Sequence, residues 1–215
     1  METWAKQVQI DLGWFGWDDW AMTNPEAFRP KARFAIAAVL MLQSILLVWQ
    51  ITAMGDERSG FIAATAFVAA NTAIWLLFVR PKIVFFDEGL TIVNPLTEVT
   101  IPWSAVDQVD SQLAFSVRAG GKKFSAWAAP APGRQHGRTL HSSEFKGLGL
   151  ADGGSMRLSD SPRSDSGVAT FIARQRLEAF KELGGDKSAT PDFKFNYLGT
   201  ALLVVSILIL TLLVA

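Results

Sequence analysis

Three long runs without a charge decide what this chain can fold into. Residues 34–53, FAIAAVLMLQSILLVWQITA, are twenty consecutive uncharged positions. At about 1.5 Å rise per residue a helix of that length spans roughly 30 Å, the thickness of a bilayer's hydrocarbon core. Residues 61–79, FIAATAFVAANTAIWLLFV, follow after the short loop MGDERSG, and residues 198–214, LGTALLVVSILILTLLV, form a third run. The expectation is a multi-pass membrane protein with three transmembrane helices, the first two (34–53 and 61–79) forming a hairpin.

The flanking charges orient these spans. Arg29, Lys31 and Arg33 precede the first and Arg80 and Lys82 follow the second, whereas the hairpin loop carries Asp56, Glu57 and Arg58. Cytoplasmic loops are rich in Lys and Arg. The N-terminus and the region after Arg80 are therefore expected in the cytoplasm, the spans in the plasma (inner) membrane and the C-terminus outside. Phe193, Phe195 and Tyr197, with Lys194, are expected at the interface where the third span begins. Gln43 and Ser44 lie mid-span in the first helix and Asn71 and Thr72 in the second. A Gln43–Asn71 hydrogen bond is the expected helix–helix contact, with Ala63, Ala66, Ala70 and Ala73 permitting close approach. No span contains an ionisable residue, which argues against an ion or proton path.

Composition narrows the chemistry further. Twenty Lys and Arg balance twenty Asp and Glu, which argues against nucleic acid as a partner. With no cysteine and two histidines, thiolate sites and multi-histidine metal or haem sites cannot be built from this chain alone. His136 and His141 stand five apart in a Gly/Ser/Pro-rich stretch and read as solvated loop residues. GLGLADGG, residues 147–154, lacks the spacing and the strand-then-helix context of a nucleotide-binding loop. The many serines of this stretch have no histidine and carboxylate spaced to activate them. No catalytic residue, cofactor or metal site is expected, and the chain is read as not an enzyme.

Between the second and third spans the pattern turns strand-like. IVFF, LTIVN, VTIP, AVDQVD, AFSVRA and KKFSAWA are separated by Asp87-Glu88-Gly89, Asn94-Pro95 and Gly120-Gly121, which predicts five or six short antiparallel strands. A long loop over 129–167 follows. Residues 168–183, VATFIARQRLEAFKEL, then predict an amphipathic helix with Val168, Phe171, Ile172, Phe180 and Leu183 as its apolar stripe, stopped by Gly184-Gly185. The fold class is α+β: three membrane helices and a small antiparallel β domain over 83–185, closed by a C-terminal helix.

The run FDEGLTIVNPLTEVTIPWSAVDQVD, the later SAWA and DSGVATFIARQRLEAF resemble the actinobacterial membrane proteins that carry a bacterial pleckstrin-homology-like domain. The resemblance covers the hairpin, residues 83–128 and the helix near 166–183. Asp87-Glu88-Gly89-Leu90, Asn94-Pro95-Leu96, Pro102-Trp103 and Trp127 are its most telling pieces. It implies a strongly bent sheet capped by a helix, and it defines a fold without defining a reaction. Eukaryotic phosphoinositide-binding relatives cluster basic residues around the first hairpin loop. The corresponding turn here is Asp87-Glu88-Gly89, which repels phosphate, so neither phosphoinositide binding nor specific binding of another anionic-lipid headgroup by this domain is expected.

The N-terminal arm, residues 1–33, contains GWFGWDDW at 13–20. A role in the core of the sheet domain is set aside because two spans intervene. An interfacial anchor would use Trp's affinity for headgroups, but Asp11, Asp18 and Asp19 suit an anionic leaflet poorly. A protein-docking arm fits better, because buried Trp dominates binding hot spots. Trp4, Trp14, Phe15, Trp17 and Trp20 are its expected contact residues. The sequence is thus read as a non-catalytic accessory or scaffolding subunit whose partners are membrane lipid and other membrane-protein subunits. Among actinobacterial complexes the respiratory bc1–aa3 supercomplex is a candidate host. The alternative is a free-standing membrane sensor or regulator whose β domain binds a peptide, lipid or small ligand.

Overall fold

The computed structural model describes residues 23–131, 164–185 and 189–214. In chain order these form β1 (Glu26–Phe28), α1 (Lys31–Met54), α2 (Glu57–Ile74), β2 (Lys82–Phe86), β3 (Gly89–Val93), β4 (Thr97–Pro102), β5 (Val106–Asp110), β6 (Ala114–Ala119), β7 (Lys122–Pro130), α3 (Asp165–Glu182), β8 (Asp192–Phe195) and α4 (Tyr197–Val214). The fold is α+β with antiparallel sheets. Helices α1, α2 with its extension to Val79, and α4 are each long and apolar enough to cross a membrane.

Helix α2 packs between α1 and α4. Small residues make that position tenable, since Ala63, Ala69 and Thr72 are buried on it and Leu76 closes the row. The buried row is offset from the expected alanine face, because Ala70 is exposed. Asp56 caps α2 by accepting from the Ser59 N–H at 3.0 Å. Near that end of the helices the Arg58 guanidinium donates to the Leu213 carbonyl at 3.0 Å, which ties the end of α4 to the start of α2.

The helix contact differs from expectation in one partner. Asn71 Nδ2 donates to Ser44 Oγ at 3.0 Å, and to the Phe67 carbonyl at 2.9 Å, while Gln43 is exposed. Adjacent helix positions are about 100° apart around the axis, so only one of Gln43 and Ser44 can face α2. Replacing Asn71 with Ala is expected to weaken α1–α2 association by about 0.6–1.7 kcal/mol, whereas Gln43→Leu should leave it unchanged. Equilibrium unfolding in mixed detergent measures both. An equal loss in the two variants would refute the pairing.

The first sheet runs β1-β2-β3-β4-β8 and the second β5-β6-β7. All pairs are antiparallel, with Lys82 opposite Val93 and Phe86 opposite Gly89 between β2 and β3. Two of these strands come from outside the expected 83–185 unit. β1, from the N-terminal arm, sets Glu26 opposite Phe85 and Phe28 opposite Ile83, and Phe28 packs on the core. β8, ahead of the last helix, sets Val99 opposite Phe193. The two intervening spans do not separate the arm from the sheet, because a helical hairpin returns the chain to the end it left.

This topology gives the sheet a helix end and a far end. β1 leads into α1, α2 leads into β2, and β8 leads into α4, all at the end marked by Phe28, Lys82 and Phe195. The Asp87-Glu88 turn lies at the other end. Between the sheets sits an apolar core of Ile83, Phe85, Leu90, Ile92, Ile101, Trp103, Phe115 and Val117. Phe85 and Phe115 meet edge to face, with ring centroids 6.0 Å apart. Helix α3 closes the core against β2, β5, β6 and β7. Ser164 caps it by accepting from the Gly167 N–H at 2.9 Å, and Gly184, at φ 72°, ends it. Its inward face is built from Ser166, Ala169, Thr170 and Ala173, with Ile172, Leu177 and Phe180 partly buried. Phe171 and Leu183 of the expected stripe are exposed instead. Small side chains let the helix axis approach the sheets closely, which a row of Phe and Leu would prevent.

Candidate functional site where the helices meet the sheets

The turn Asn94–Thr97, which links β3 to β4 at the helix end, is the point on which three further elements converge. Its own closure is an Asn94 N–H to Thr97 carbonyl bond of 2.8 Å. From α2 comes Arg80. The helix ends in a π-helical turn, Trp75–Val79, closed by the Arg80 N–H on the Trp75 carbonyl at 2.8 Å. Such turns are rare and gather at functional sites. The Arg80 guanidinium donates to the carbonyls of Asn94 and Pro95 and pairs with Glu98 at 3.7 Å. Its side chain is only 8 % exposed. Burial pushes the Arg80 pKa down, opposed by the Glu98 charge. From β8 comes the Asn196 N–H, which donates to the Leu96 carbonyl at 2.8 Å.

From β7 comes the fourth contact. Asn94 Oδ1 accepts from the Trp127 N–H at 2.7 Å, and Asn94 Nδ2 donates to the Ser125 carbonyl at 2.9 Å. One amide side chain thereby satisfies two backbone groups of the neighbouring sheet and joins the sheets at this end. Trp127 in turn donates its indole N–H to the Leu77 carbonyl of the π-turn at 2.9 Å, a last-turn carbonyl whose partner four residues on, Pro81, has no N–H. Arg33, in the first turn of α1, donates through Nη2 to the Trp127 carbonyl. The sheets are therefore bound to both helices of the hairpin by hydrogen bonds.

Beside these contacts lies a cavity of about 550 Å³ lined by Arg33, Pro95, Leu96, Leu113, Trp127 and Pro130 among others. Its lining is mainly apolar. Arg33 Nη1 is buried with no hydrogen-bond partner among the described residues. Asp165, at the start of α3, acts on Arg33 through charge, with no ion pair between them within 4.0 Å among the described residues. Burial raises the Asp165 pKa and the Arg33 charge opposes that rise. On the same side, burial lowers the Lys82 pKa and the Arg29 charge lowers it further.

The far end carries a second polar cluster. Asn24, at φ 51°, turns the chain into β1, a conformation that Asn tolerates better than most residues. Asn24 Nδ2 donates to Asp87 at 2.7 Å, the Thr23 N–H donates to Glu88 at 3.2 Å, and the Asp87 N–H donates to the Thr23 carbonyl at 3.1 Å. Arg176 of α3 pairs with Asp87 and, at 3.5 Å, with Glu26. The acidic turn is thus compensated, and it roots the N-terminal arm.

The expected docking residues Trp4, Trp14, Phe15, Trp17 and Trp20 lie outside the described residues, as do His136 and His141. Of the expected helix contacts, Asn71 is engaged and Gln43 is not. Arg33 and Arg80 entered the sequence reading only as orienting charges, and Asn94 only as a turn former. Their roles depend on pairings far apart in the chain that no local pattern signals. A scan of protein-family models, a search of curated proteins and a search of solved structures each found no match to this chain.

Proposed function

We propose that this chain is a non-catalytic accessory or scaffolding subunit of a larger membrane complex. It is held in that complex by its N-terminal arm and its apolar helices, with the sheet domain on the cytoplasmic side. The observation that carries this reading is the root of the arm at the far end of the sheet. The strand from the Asp87 turn to Lys82 is five residues, roughly 16 Å. The arm thus joins the sheet at the end remote from the helices, which suits contact with a partner's surface.

Other features support parts of the reading. Two antiparallel sheets with one helix across them suit a pleckstrin-homology-like domain. The gathering of Arg29, Lys31, Arg33, Arg80 and Lys82 at the helix end suits a cytoplasmic side. The hydrogen bonds of Arg33, Arg80 and Trp127 would make the domain a rigid mount at a fixed height above the bilayer, as a scaffold requires. A respiratory supercomplex of the bc1–aa3 type is the host to test first. No phosphoinositide recognition is proposed at the Asp87-Glu88 turn, whose carboxylates are held by Arg176 and the arm. A second reading, a free-standing sensor, draws on the cavity beside Arg33 and Trp127.

Solubilisation of native membranes in digitonin, blue-native separation and mass spectrometry of the bands test the proposal. The wild-type chain is expected to migrate with a large complex at near-stoichiometric level. The triple replacement of Trp14, Trp17 and Trp20 by Ala is expected to move most of it to a small species while it stays folded, since hot-spot losses of about 2 kcal/mol each far exceed a tenfold weakening. Retention of the triple variant would sink the arm model. Migration of the wild type alone would favour the sensor.

A further inference from the structure

We propose that the cavity beside Arg33 and Trp127 is a binding site for an anionic glycerophospholipid of the surrounding bilayer. The phosphate would sit on the Arg33 guanidinium, and the glycerol and upper acyl carbons on Trp127, Leu96 and Leu113. This rests on the helices crossing a bilayer and is independent of the docking arm.

Height comes first. Arg33 is immediately followed by the uncharged run from Phe34, so in a bilayer its guanidinium lies at headgroup level, where long basic side chains extend to the interface. Trp127 is fixed at the same level by its bond to the Leu77 carbonyl, yet 53 % of its surface is exposed. Leu113, at the β5–β6 turn, is 82 % exposed, and Leu96 is also open. Exposed Leu and Trp around one cavity are costly against water and favourable against lipid carbon.

Charge comes second. Arg33 lines the cavity and brings a cation to it, and its Nη1, buried without a partner among the described residues, would meet a phosphate oxygen on a small turn of the guanidinium outward. Leaving a buried charged donor unpaired is expensive, and a phosphate oxygen supplies both acceptor and charge. Exposed Arg29 and Lys31 add positive charge at the start of α1. Asp165 faces the same guanidinium from α3 and tempers the field. Glu98 is occupied by Arg80. The acidic turn at Asp87 lies at the opposite end of β2 and does not oppose a lipid here.

Full-length protein, purified in mild detergent and delipidated, is titrated with phosphatidylglycerol or phosphatidylcholine and read by native mass spectrometry. Phosphatidylglycerol is expected to bind about tenfold more tightly or better. Arg33→Gln is expected to abolish that preference. Because Arg33 also holds the Trp127 carbonyl, Leu113→Glu gives a second test at a position whose side chain is exposed and lies outside the core. It should cut phosphatidylglycerol binding several-fold without changing thermal stability. Equal retention of the two lipids by wild type would overturn the proposal, as would an unchanged preference in both variants. No bound lipid at all would mean that the cavity is closed by the protein itself. Displacement of phosphatidylglycerol by millimolar inorganic phosphate would assign the site to free phosphate instead.

Discussion

Replacing Trp103 with Ala is expected to unfold the sheet domain. Trp103 is 1 % exposed and lies in the core between the two sheets. Truncating so large a buried side chain costs about 3–5 kcal/mol through lost burial and the cavity left behind. The indole's hydrogen bond makes this position harder still to vacate, while the backbone's survives the substitution. The indole N–H donates to the Phe86 carbonyl at 3.0 Å, and the Trp103 N–H donates to the Glu88 carbonyl at 3.0 Å. Losing the first leaves the Phe86 carbonyl without that donor, an added penalty of about 1–3 kcal/mol. Against a domain stability of about 5–15 kcal/mol, the sum is decisive. Limited proteolysis of the full-length protein should show the Ala variant cut within the strands. Trp103→Phe should be intermediate, since it keeps most of the volume and loses the N–H. The same corner carries Asp87 and Glu88, so release of the arm at Thr23 should accompany the loss. Wild-type protease resistance of Trp103→Ala would contradict the described core.

Gly89→Ala is expected to be damaging as well, although it adds only a methyl group. A Cβ at Gly89 would stand 2.5 Å from the Ile101 carbonyl oxygen and 2.9 Å from Pro102 Cα. Both neighbours are backbone of the paired strand β4, so no rotamer change relieves them. The strands must separate where Gly89 faces Pro102. Overpacking of this kind costs about 1–3 kcal/mol, and more where the backbone must move. Gly120 offers the control. Its φ is 55° and nothing lies within 4 Å of an added Cβ, so Ala there costs about 1–2 kcal/mol from backbone conformation alone. Hydrogen exchange of β3 and β4 amides should rise sharply in Gly89→Ala and stay near wild type in Gly120→Ala. The reverse ranking would show that the β3–β4 approach is not as close as described.

The elements that could be read from the sequence are those with a local signal. The runs from Phe34, Phe61 and Leu198 emerge as helices from Lys31, Glu57 and Tyr197, because uninterrupted hydrophobicity needs no partner to be recognised. The six strands between Lys82 and Pro130 fall where turn residues bracket alternating segments. β1 and β8 escaped because EAF and DFKF are three and four residues long and become strands only by pairing across the helices. Helix rotation was hidden for a related reason. A helix apolar on nearly every side has no moment to orient it, so Ser44 rather than Gln43 meeting Asn71 is decided by packing alone. In α3 the largest apolar residues marked a stripe, but close approach to two sheets selected Ala169, Thr170 and Ala173 and turned Phe171 outward. The site followed the same rule. Arg33, Arg80, Asn94 and Trp127 are unremarkable locally and acquire their roles when distant segments meet.

The central sheet also has a meaning for biosynthesis. Its edge strands β1 and β8 are the first and last strands of the described chain, and each is joined directly to a helix long and apolar enough to cross a membrane. β8 can reach β4 only if α4 inserts with its Tyr197 end on the side where α1 begins. Were α4 to insert the other way round, Thr97–Thr100 would be left without the strand that pairs with it and would present an open, adhesive edge. Pairing of β8 with β4 thus ties completion of the central sheet to the direction in which α4 runs beside α2.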